Sequence, residues 1–181
     1  MLIECCVLLL GILIVYYIYK STEVKYIKSD VDSKRYVVLN KYDSKNAADM
    51  LATISQNLTT IKDYLAKHHG DTIVSQNIQK RFDTSNISEG SPDSQYTSYT
   101  INKGDKMVFC LRDKETKRLH DLNLLMYVSL HELAHVGCVS IGHNGEFHKH
   151  FNFLLEIAEK IGIYTKISFG DKNVEYCGLT L

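Results

Sequence analysis

The stretch VSLHELAHVGCVSIGHNGEFHKHF, residues 128–151, decides how the rest of the chain is interpreted. It contains His131-Glu132-Leu-Ala-His135 within an apolar run, 122–138, that is predicted to be a helix. Residues at positions i and i+4 share one helix face, so both imidazoles can bind one zinc ion. Glu132 can then take a proton from a water molecule whose pKa the zinc lowers to about 7. The alternative is a core helix whose histidines are only hydrogen-bonded.

A catalytic zinc needs a third protein ligand, and His143 is the preferred candidate. The helix is expected to end near Gly137, and the loop with Gly142 can return His143 to the metal. Asn144 is the expected N-cap of a second helix that runs to residue 160 or 161. Ile141 stands where the metzincin pattern requires a histidine, which excludes that pattern. The other candidates for the third ligand are Glu146, His148, His150 and Glu156.

The elements around this stretch alternate between strands and helices. Two short strands are predicted near 24–28 and 35–39, and a β-hairpin with its turn at Asn102–Asp105. Apolar residues at spacings of three and four predict a long helix over 47–65, followed by a shorter helix over 71–82. Residues 83–95, rich in Ser and Asp and containing Pro92, are predicted to be a loop. The fold class is therefore α+β.

The overall composition is that of an ordinary globular domain. Of the 181 residues, 45% are hydrophobic and 23% are charged, and 21 Lys and Arg balance 21 Asp and Glu. No excess of positive charge is available to attract a phosphate backbone. Composition therefore argues against a dedicated nucleic-acid-binding protein.

The N-terminal segment departs from this average. It is apolar from Cys5 to Tyr19, with Glu4 the only charged side chain before Lys20. We therefore expect residues 1–20 to be a transmembrane anchor that places residues 2–19 in the lipid bilayer. Strands and a linker at 21–40 and a catalytic domain at 41–181 would follow.

The residues around the predicted span and the cysteines indicate where that domain would lie. Positive charges follow the span, which by the positive-inside rule predicts a single-pass protein with a cytosolic domain. They are Lys20, Lys25, Lys28, Lys34 and Arg35. Outside the span, Cys110, Cys138 and Cys177 form an odd set, which is a poor disulfide framework and suits a reducing compartment. Cys138 and Cys177 are accordingly expected to be buried thiols.

Two segments resemble a known family. MVFCLRD, residues 107–113, and LHELAHVGCVSIGHNGEFHKHFNFLLEIA, residues 130–158, resemble the WLM group of zinc metallopeptidases, relatives of the SprT-like proteases. The matching features are Leu111-Arg112, the His131–His135 pentad, and Gly142-His143-Asn144 with Phe147. The whole chain is still more similar to uncharacterised WLM-like proteins of large DNA viruses.

This resemblance implies a fold and a set of roles. The fold would be zincin-like, with a small antiparallel or mixed sheet, the active-site helix and a following helix. His131, His135 and His143 would be the zinc ligands and Glu132 the general base. Residues 107–112 are the candidate for an edge strand that pairs with a protein or peptide substrate, and an ordinary sheet strand is the alternative.

Further roles are assigned only as hypotheses. Tyr164 or Tyr176 is a candidate for stabilising the oxyanion. The leading functional hypothesis is a membrane-anchored zinc metalloprotease that uses activated water. The competing hypothesis is a non-catalytic zinc-binding membrane or virion structural protein.

Overall fold

The structure is a computed structural model that describes residues 2–21, 23–91, 96–168 and 174–180. Its helices are α1 Leu2–Ser21, α2 Ser44–His68, α3 Ile73–Arg81, α4 Leu122–Gly137 and α5 Gly145–Lys160. Its strands are β1 Val24–Lys28, β2 Arg35–Leu39, β3 Ile87–Glu89, β4 Tyr99–Ile101, β5 Lys106–Phe109, β6 Glu175–Tyr176 and β7 Leu179–Thr180. The α+β class is confirmed.

Five strands form one mixed sheet in the order β1-β2-β3-β5-β4. The outer pairs, β1 with β2 and β4 with β5, are antiparallel, whereas β3 runs parallel to both β2 and β5. The predicted strands at 24–28 and 35–39 and the predicted hairpin are confirmed. The loop prediction for 83–95 was wrong where β3 lies. Of the two roles considered for residues 107–112, the ordinary sheet strand is confirmed and the edge strand is not, because β5 is enclosed between β3 and β4, and β4 forms that edge. Residues 92–95 of that loop lie outside the described residues.

Helix α2 packs its apolar face against the sheet and against α3 and α4. The residues of that face are fully buried, as their spacing of three and four predicts. They include Leu51, Ile54, Leu58, Ile61 and Leu65. This packing covers one face of the sheet and places α2 in contact with α4.

Helix α4 is a core helix, in contact with α2, α3 and α5. Leu125, Leu130 and Leu133 are fully buried, so its apolar residues are enclosed by several neighbours rather than by one. Its last residue, Gly137, lies against α3, where an added Cβ would come within 2.6 Å of Val74. Rigid packing therefore fixes the position of the His131–His135 pentad.

A buried ion network joins three elements near the end of β5. The Arg112 guanidinium donates to Glu89 Oε1 and Asp43 Oδ2, both at 2.7 Å. Glu89 Oε2 also accepts a hydrogen bond from the backbone of Leu39. Since paired, hydrogen-bonded charges are the ones proteins tolerate inside, this network links the β5 segment to β3, β2 and the start of α2.

The cysteine interpretation needs correction, because Cys110 and Cys177 form a disulfide. The two residues are 67 positions apart in sequence but adjacent in space, and no local pattern indicates that pairing. Cys138 is a free, buried thiol, as expected. The argument from cysteines for a reducing compartment therefore no longer holds.

The N-terminal helix α1 exposes its apolar side chains from Leu8 to Ile18. The side chains of residues 1–7 and 19–22, on which the anchor prediction also relied, lie outside the described part. Among the residues that are described, no helix has both the length and the apolar character needed to cross a membrane. The predicted transmembrane anchor and membrane localisation are therefore not supported.

Candidate metal centre

Three histidines meet at one point between α4 and α5. The Nε2 atom of His143 lies 2.9 Å from that of His131 and 3.1 Å from that of His135. Nitrogens that share one tetrahedral zinc ion lie about 3.3 Å apart for bonds of about 2.05 Å. The three rings can therefore hold a metal ion after shifts of a few tenths of an ångström.

The corner before α5 brings His143 to the other two histidines. Gly142 has a φ of 85°, a left-handed conformation that glycine adopts without a steric penalty. Asn144 caps α5, its Oδ1 accepting from the backbone N–H of Phe147 at 3.1 Å, as predicted. Its side-chain amide also donates to Ser140 Oγ. The corner is thus fixed on both sides of His143.

Side chains from other elements satisfy the carbonyls at the C-terminal end of α4. Arg81 donates to Val136 O at 3.0 Å and to Cys138 O at 2.9 Å, and Asn77 donates to Gly137 O at 2.8 Å. The Lys103 ammonium group donates to three successive carbonyls, of residues 138, 139 and 140, each at 2.7 Å. Cations at this end of a helix also interact favourably with its dipole. These bonds order the connection from α4 to His143.

The aromatic ring of Phe147 packs against all three histidine rings. The ring centroid of Phe147 is 4.7 Å from that of His131, 4.4 Å from that of His135 and 4.7 Å from that of His143. Burial lowers the pKa of His131 to about 3, with help from the other two rings. Burial and His143 likewise lower the pKa of His135 to about 4. Both imidazoles are therefore neutral at physiological pH, which is the form that binds metals.

Glu132 lies beside the histidines and is only 4% exposed. Its Oε2 accepts a hydrogen bond of 2.8 Å from the hydroxyl of Thr100 on β4. Burial raises the pKa of Glu132 to about 7, although the bond from Thr100 opposes this rise. A carboxyl group with such a pKa can exchange a proton near neutral pH.

The histidines and Glu132 open into a cleft of about 640 Å³. One wall is β4 with the turn after it, and the other is the loop from Ser140 to His143. The turn residues Asn102 and Lys103 have φ values of 46° and 57°. The cleft is therefore large enough for a chain segment and borders the edge strand β4.

The other candidates for the third ligand lie elsewhere. The Glu146 carboxylate accepts from the Ser140 hydroxyl and from the backbone N–H groups of Val139 and Ser140, and these bonds lower its pKa. Exposed His148 packs on Phe147. His150 Nδ1 contacts the Cys138 thiol, and Glu156 is exposed on α5. The described structure thus brings His143, and none of these four, to His131 and His135.

Neither tyrosine proposed for the oxyanion lines this cleft. Tyr176 is 2% exposed, and its hydroxyl bonds to Ser98 Oγ and Cys110 O. The Tyr164 hydroxyl accepts from the backbone of Ile167. Both hydroxyls are therefore occupied by structural hydrogen bonds.

Sequence reasoning did not single out Thr100 or Lys103. Both belong to the predicted hairpin, but contact between that hairpin and α4 depends on tertiary packing. The only sequence signal was the Asn102-Lys103-Gly104 turn, which indicated where the two strands reverse. A polar residue on the strand next to such a turn gives no sign of its partner 32 positions away.

Comparison with known proteins identifies the family of the chain. The WLM domain model matches residues 33–174. The chain belongs to the WLM domain family. It is 34% identical to an uncharacterised protein of Acanthamoeba polyphaga mimivirus, over 99% of this chain and 94% of that protein.

Two further proteins are similar over shorter parts of the chain. An uncharacterised protein of invertebrate iridescent virus 3 is 46% identical over 83 residues, which cover 45% of this chain and 50% of that protein. The crystal structure of Wss1 from Saccharomyces cerevisiae superposes with a TM-score of 0.52, at 21% identity, over 69% of this chain and 89% of that one. The likeness to Wss1 shows a shared fold. Membership of the WLM family also supports a metalloprotease-like function. The histidine cluster could bind a metal ion.

Proposed function

We propose that this WLM protein is a zinc-dependent peptidase in which His131, His135 and His143 hold the metal and Glu132 is the general base. The observation that carries the proposal is the convergence of three histidine Nε2 atoms beside a buried carboxyl group in an open cleft. Three nitrogen ligands that leave a position open are typical of a catalytic zinc site.

The donor set suits zinc. Neutral imidazoles are borderline ligands that zinc binds readily, and the three ligand atoms are close enough for tetrahedral bonds. When bound, zinc supplies a Lewis acid that activates water and polarises the substrate carbonyl.

The residues of the chain perform the proton transfer. Glu132, with a pKa raised to about 7 in the metal-free protein, accepts a proton from the attacking water at a carboxylate oxygen. It then gives this proton to the leaving amine. Thr100 holds Oε2, so the carboxyl group keeps one orientation during both transfers.

Strand β4 is the element that would bind the substrate. It forms the edge of the sheet next to the cleft, and an extended peptide could add to it as a further strand. Main-chain hydrogen bonds of this kind are independent of side chains, so they suit a range of protein or peptide substrates. Thr100 on the same strand would link substrate binding to the position of Glu132.

Glu132 also favours the peptidase over the competing hypothesis of a non-catalytic zinc protein. A closed structural site has four protein ligands and needs no carboxyl group beside the metal. Here, burying a carboxyl group raises its pKa, which is a cost that a purely structural site would have no reason to carry.

The test compares Glu132→Gln with wild type in the full-length protein. We expect the variant to keep the zinc content of wild type and to lose about 100- to 10,000-fold in cleavage of an unfolded protein, because the general base is gone. Glu156→Gln, which removes an exposed carboxyl group on α5, is the matched control and should keep full activity. Equal activity of Glu132→Gln and wild type would exclude Glu132 as the base.

The ligand assignment has its own control. His143→Ala should lose one zinc per chain and its activity, whereas His148→Ala, which alters an exposed histidine on α5, should keep both. If His143→Ala keeps wild-type zinc and activity, the proposed third ligand is wrong.

A further inference from the structure

A second group of metal-binding side chains lies at the junction of α4 and α5. Cys138 is the C-cap residue of α4, and Glu146 and His150 lie on α5. The possible ligand atoms of the three residues all lie within 4.8 Å of one another. These residues are separate from the three histidines and take no part in the proposed hydrolysis.

We propose that Cys138, Glu146 and His150 form a second zinc site, which would join the end of α4 to α5. The distance from Cys138 Sγ to His150 Nδ1 is 3.5 Å. A zinc ion bound at about 2.3 Å to sulfur and about 2.05 Å to nitrogen at the tetrahedral angle separates those two atoms by about 3.6 Å. The thiol and the imidazole are therefore already at the separation that a shared zinc ion requires.

The helical spacing supports the same conclusion. Glu146 and His150 are at positions i and i+4 of α5, so they project from one face, as His131 and His135 do on α4. Each group is completed by a residue from the connection between α4 and α5: Cys138 at its start and His143 at its end. The two sites would thus hold opposite ends of one short segment.

The charge balance fits a divalent ion. A thiolate and a carboxylate together neutralise Zn²⁺, so the site would bury no net charge next to Cys138, which is 1% exposed. Burial and Glu146 raise the pKa of the Cys138 thiol, whereas Lys103 and Arg81, both bonded to its carbonyl oxygen, lower it. On balance the pKa of this thiol is raised, so the thiolate forms only when a bound metal ion displaces the thiol proton.

The ligands are held in place before any metal arrives. The Glu146 carboxylate accepts from the hydroxyl and backbone N–H of Ser140 and from the backbone N–H of Val139. A cavity of about 600 Å³, lined by Glu146, His150 and side chains of α3, lies beside the ligands. It gives the ion a path from solvent and leaves room for water as the fourth ligand. The bound ion would tie the end of α4 to α5 and so stabilise the segment that carries His143.

Cobalt(II) distinguishes the two sites, because only a thiolate ligand produces an intense sulfur-to-cobalt charge-transfer band in the near ultraviolet. The proposed catalytic site contains nitrogen ligands alone. The full-length protein should be stripped of metal, titrated with cobalt(II) for the spectrum, and loaded with zinc(II) for stoichiometry. We expect two zinc ions per chain and a charge-transfer band in wild type.

Four variants assign the band. Cys138→Ser and His150→Ala should each bind one zinc ion per chain and lose the band, whereas His143→Ala should also bind one ion but keep the band. Cys5→Ser/Cys6→Ser, which removes the N-terminal thiols, should behave as wild type. His150 is half-buried, so its replacement tests the site even if Cys138→Ser fails to fold.

Three results would overturn the second site: a single zinc ion in wild type, no charge-transfer band, or a band that persists in Cys138→Ser. The first of these, together with loss of that ion in His143→Ala, would leave the catalytic zinc intact. Failure of the second site is therefore distinguishable from failure of the proposed peptidase.

Discussion

Glu132 is deeply buried and accepts a side-chain hydrogen bond from Thr100. In the metal-free protein burial raises its pKa from 4.5 to about 7. The folded protein then binds a proton more readily than the unfolded chain does. The contribution of Glu132 to the free energy of unfolding is therefore fully present below about pH 4.5 and is lost as the pH rises through about 7.

Glu132→Gln removes this titration, so the metal-free variant should gain stability relative to metal-free wild type as the pH rises. As the pH rises from about 4.5 to above about 7, the free energy of unfolding of the variant should increase relative to that of wild type by on the order of 3 kcal/mol. Urea denaturation of both proteins across this range measures the difference. A stability difference that does not change with pH would contradict the raised pKa of Glu132.

In the proposed reaction Thr100 would act through Glu132, to which it donates a hydrogen bond, and would therefore be a positioning residue. Thr100→Val keeps the size of the side chain but removes the hydroxyl donor, which is worth about 1.5–3 kcal/mol when the acceptor is charged. We expect kcat to fall about 10- to 100-fold with an unchanged zinc content, and Thr100→Ser to restore most of it. A purely structural role would instead lower the stability of both variants and leave kcat per folded molecule unchanged.

Among individual residues of the site, the sequence predicted those that are close together along the chain. His131, Glu132 and His135 lie within one helical turn, and the Gly142–Asn144 corner adds His143 by a local reversal. Thr100 could not be found in this way, because its contact depends on how β4 packs against α4. The same limit applies to Cys110, whose partner lies 67 residues away.

The segment between α4 and α5 is the element on which the site depends most. It has no regular secondary structure of its own, and Lys103 bonds three of its carbonyl groups from the β4–β5 turn. Its conformation is therefore determined by contacts with other elements. Without these contacts, the segment would lose conformational entropy when His143 binds a metal ion, and this loss would weaken binding.

Lys103→Met removes these three bonds while keeping a long apolar stem. We expect the zinc affinity of the histidine site to fall about 10- to 100-fold, the usual effect of losing a group that orients metal ligands. The measurement is the buffered free zinc concentration that restores half of the activity to the metal-free enzyme. Lys106→Met, on the exposed start of β5, is the matched control and should leave that concentration unchanged.

The helices, the β4–β5 turn and four of the five strands of the main sheet were predicted, but strand β3 was not. The helices over 47–65 and 122–138 have long apolar patterns, and their positions agree with α2 and α4. Strand β3 has only three residues, next to the polar and proline-containing segment after it, so no periodic pattern could reveal it. Because β3 joins β2 to β5, missing it also hid the true edge strand, β4.

At the scale of the whole molecule, the disulfide between Cys110 and Cys177 fastens the C-terminal hairpin to the sheet. Tyr176, next to Cys177, bonds to Ser98 and to the Cys110 carbonyl, and Cys110 N donates to Ser98 Oγ. The hairpin therefore supports the segment that leads into β4. Loosening it would affect the wall of the cleft as well as the terminus.

Cys177→Ser should lower the free energy of unfolding by up to about 4 kcal/mol, the loop-closure value for a separation of 67 residues. Denaturation with urea, with and without a reducing agent, measures this. Reduction should destabilise wild type and leave Cys177→Ser unchanged. Equal sensitivity of both proteins to reduction would show that the Cys110–Cys177 bond is not the cause.

The same covalent bond encloses all four residues of the proposed catalytic site. Residues 110–177 form a closed ring, and the three histidines and Glu132 all lie within it. A peptidase that cuts its own backbone inside this ring would open the ring without releasing a fragment. Such nicked molecules would migrate as intact protein until the disulfide is reduced, so self-cleavage would be visible only on reducing gels.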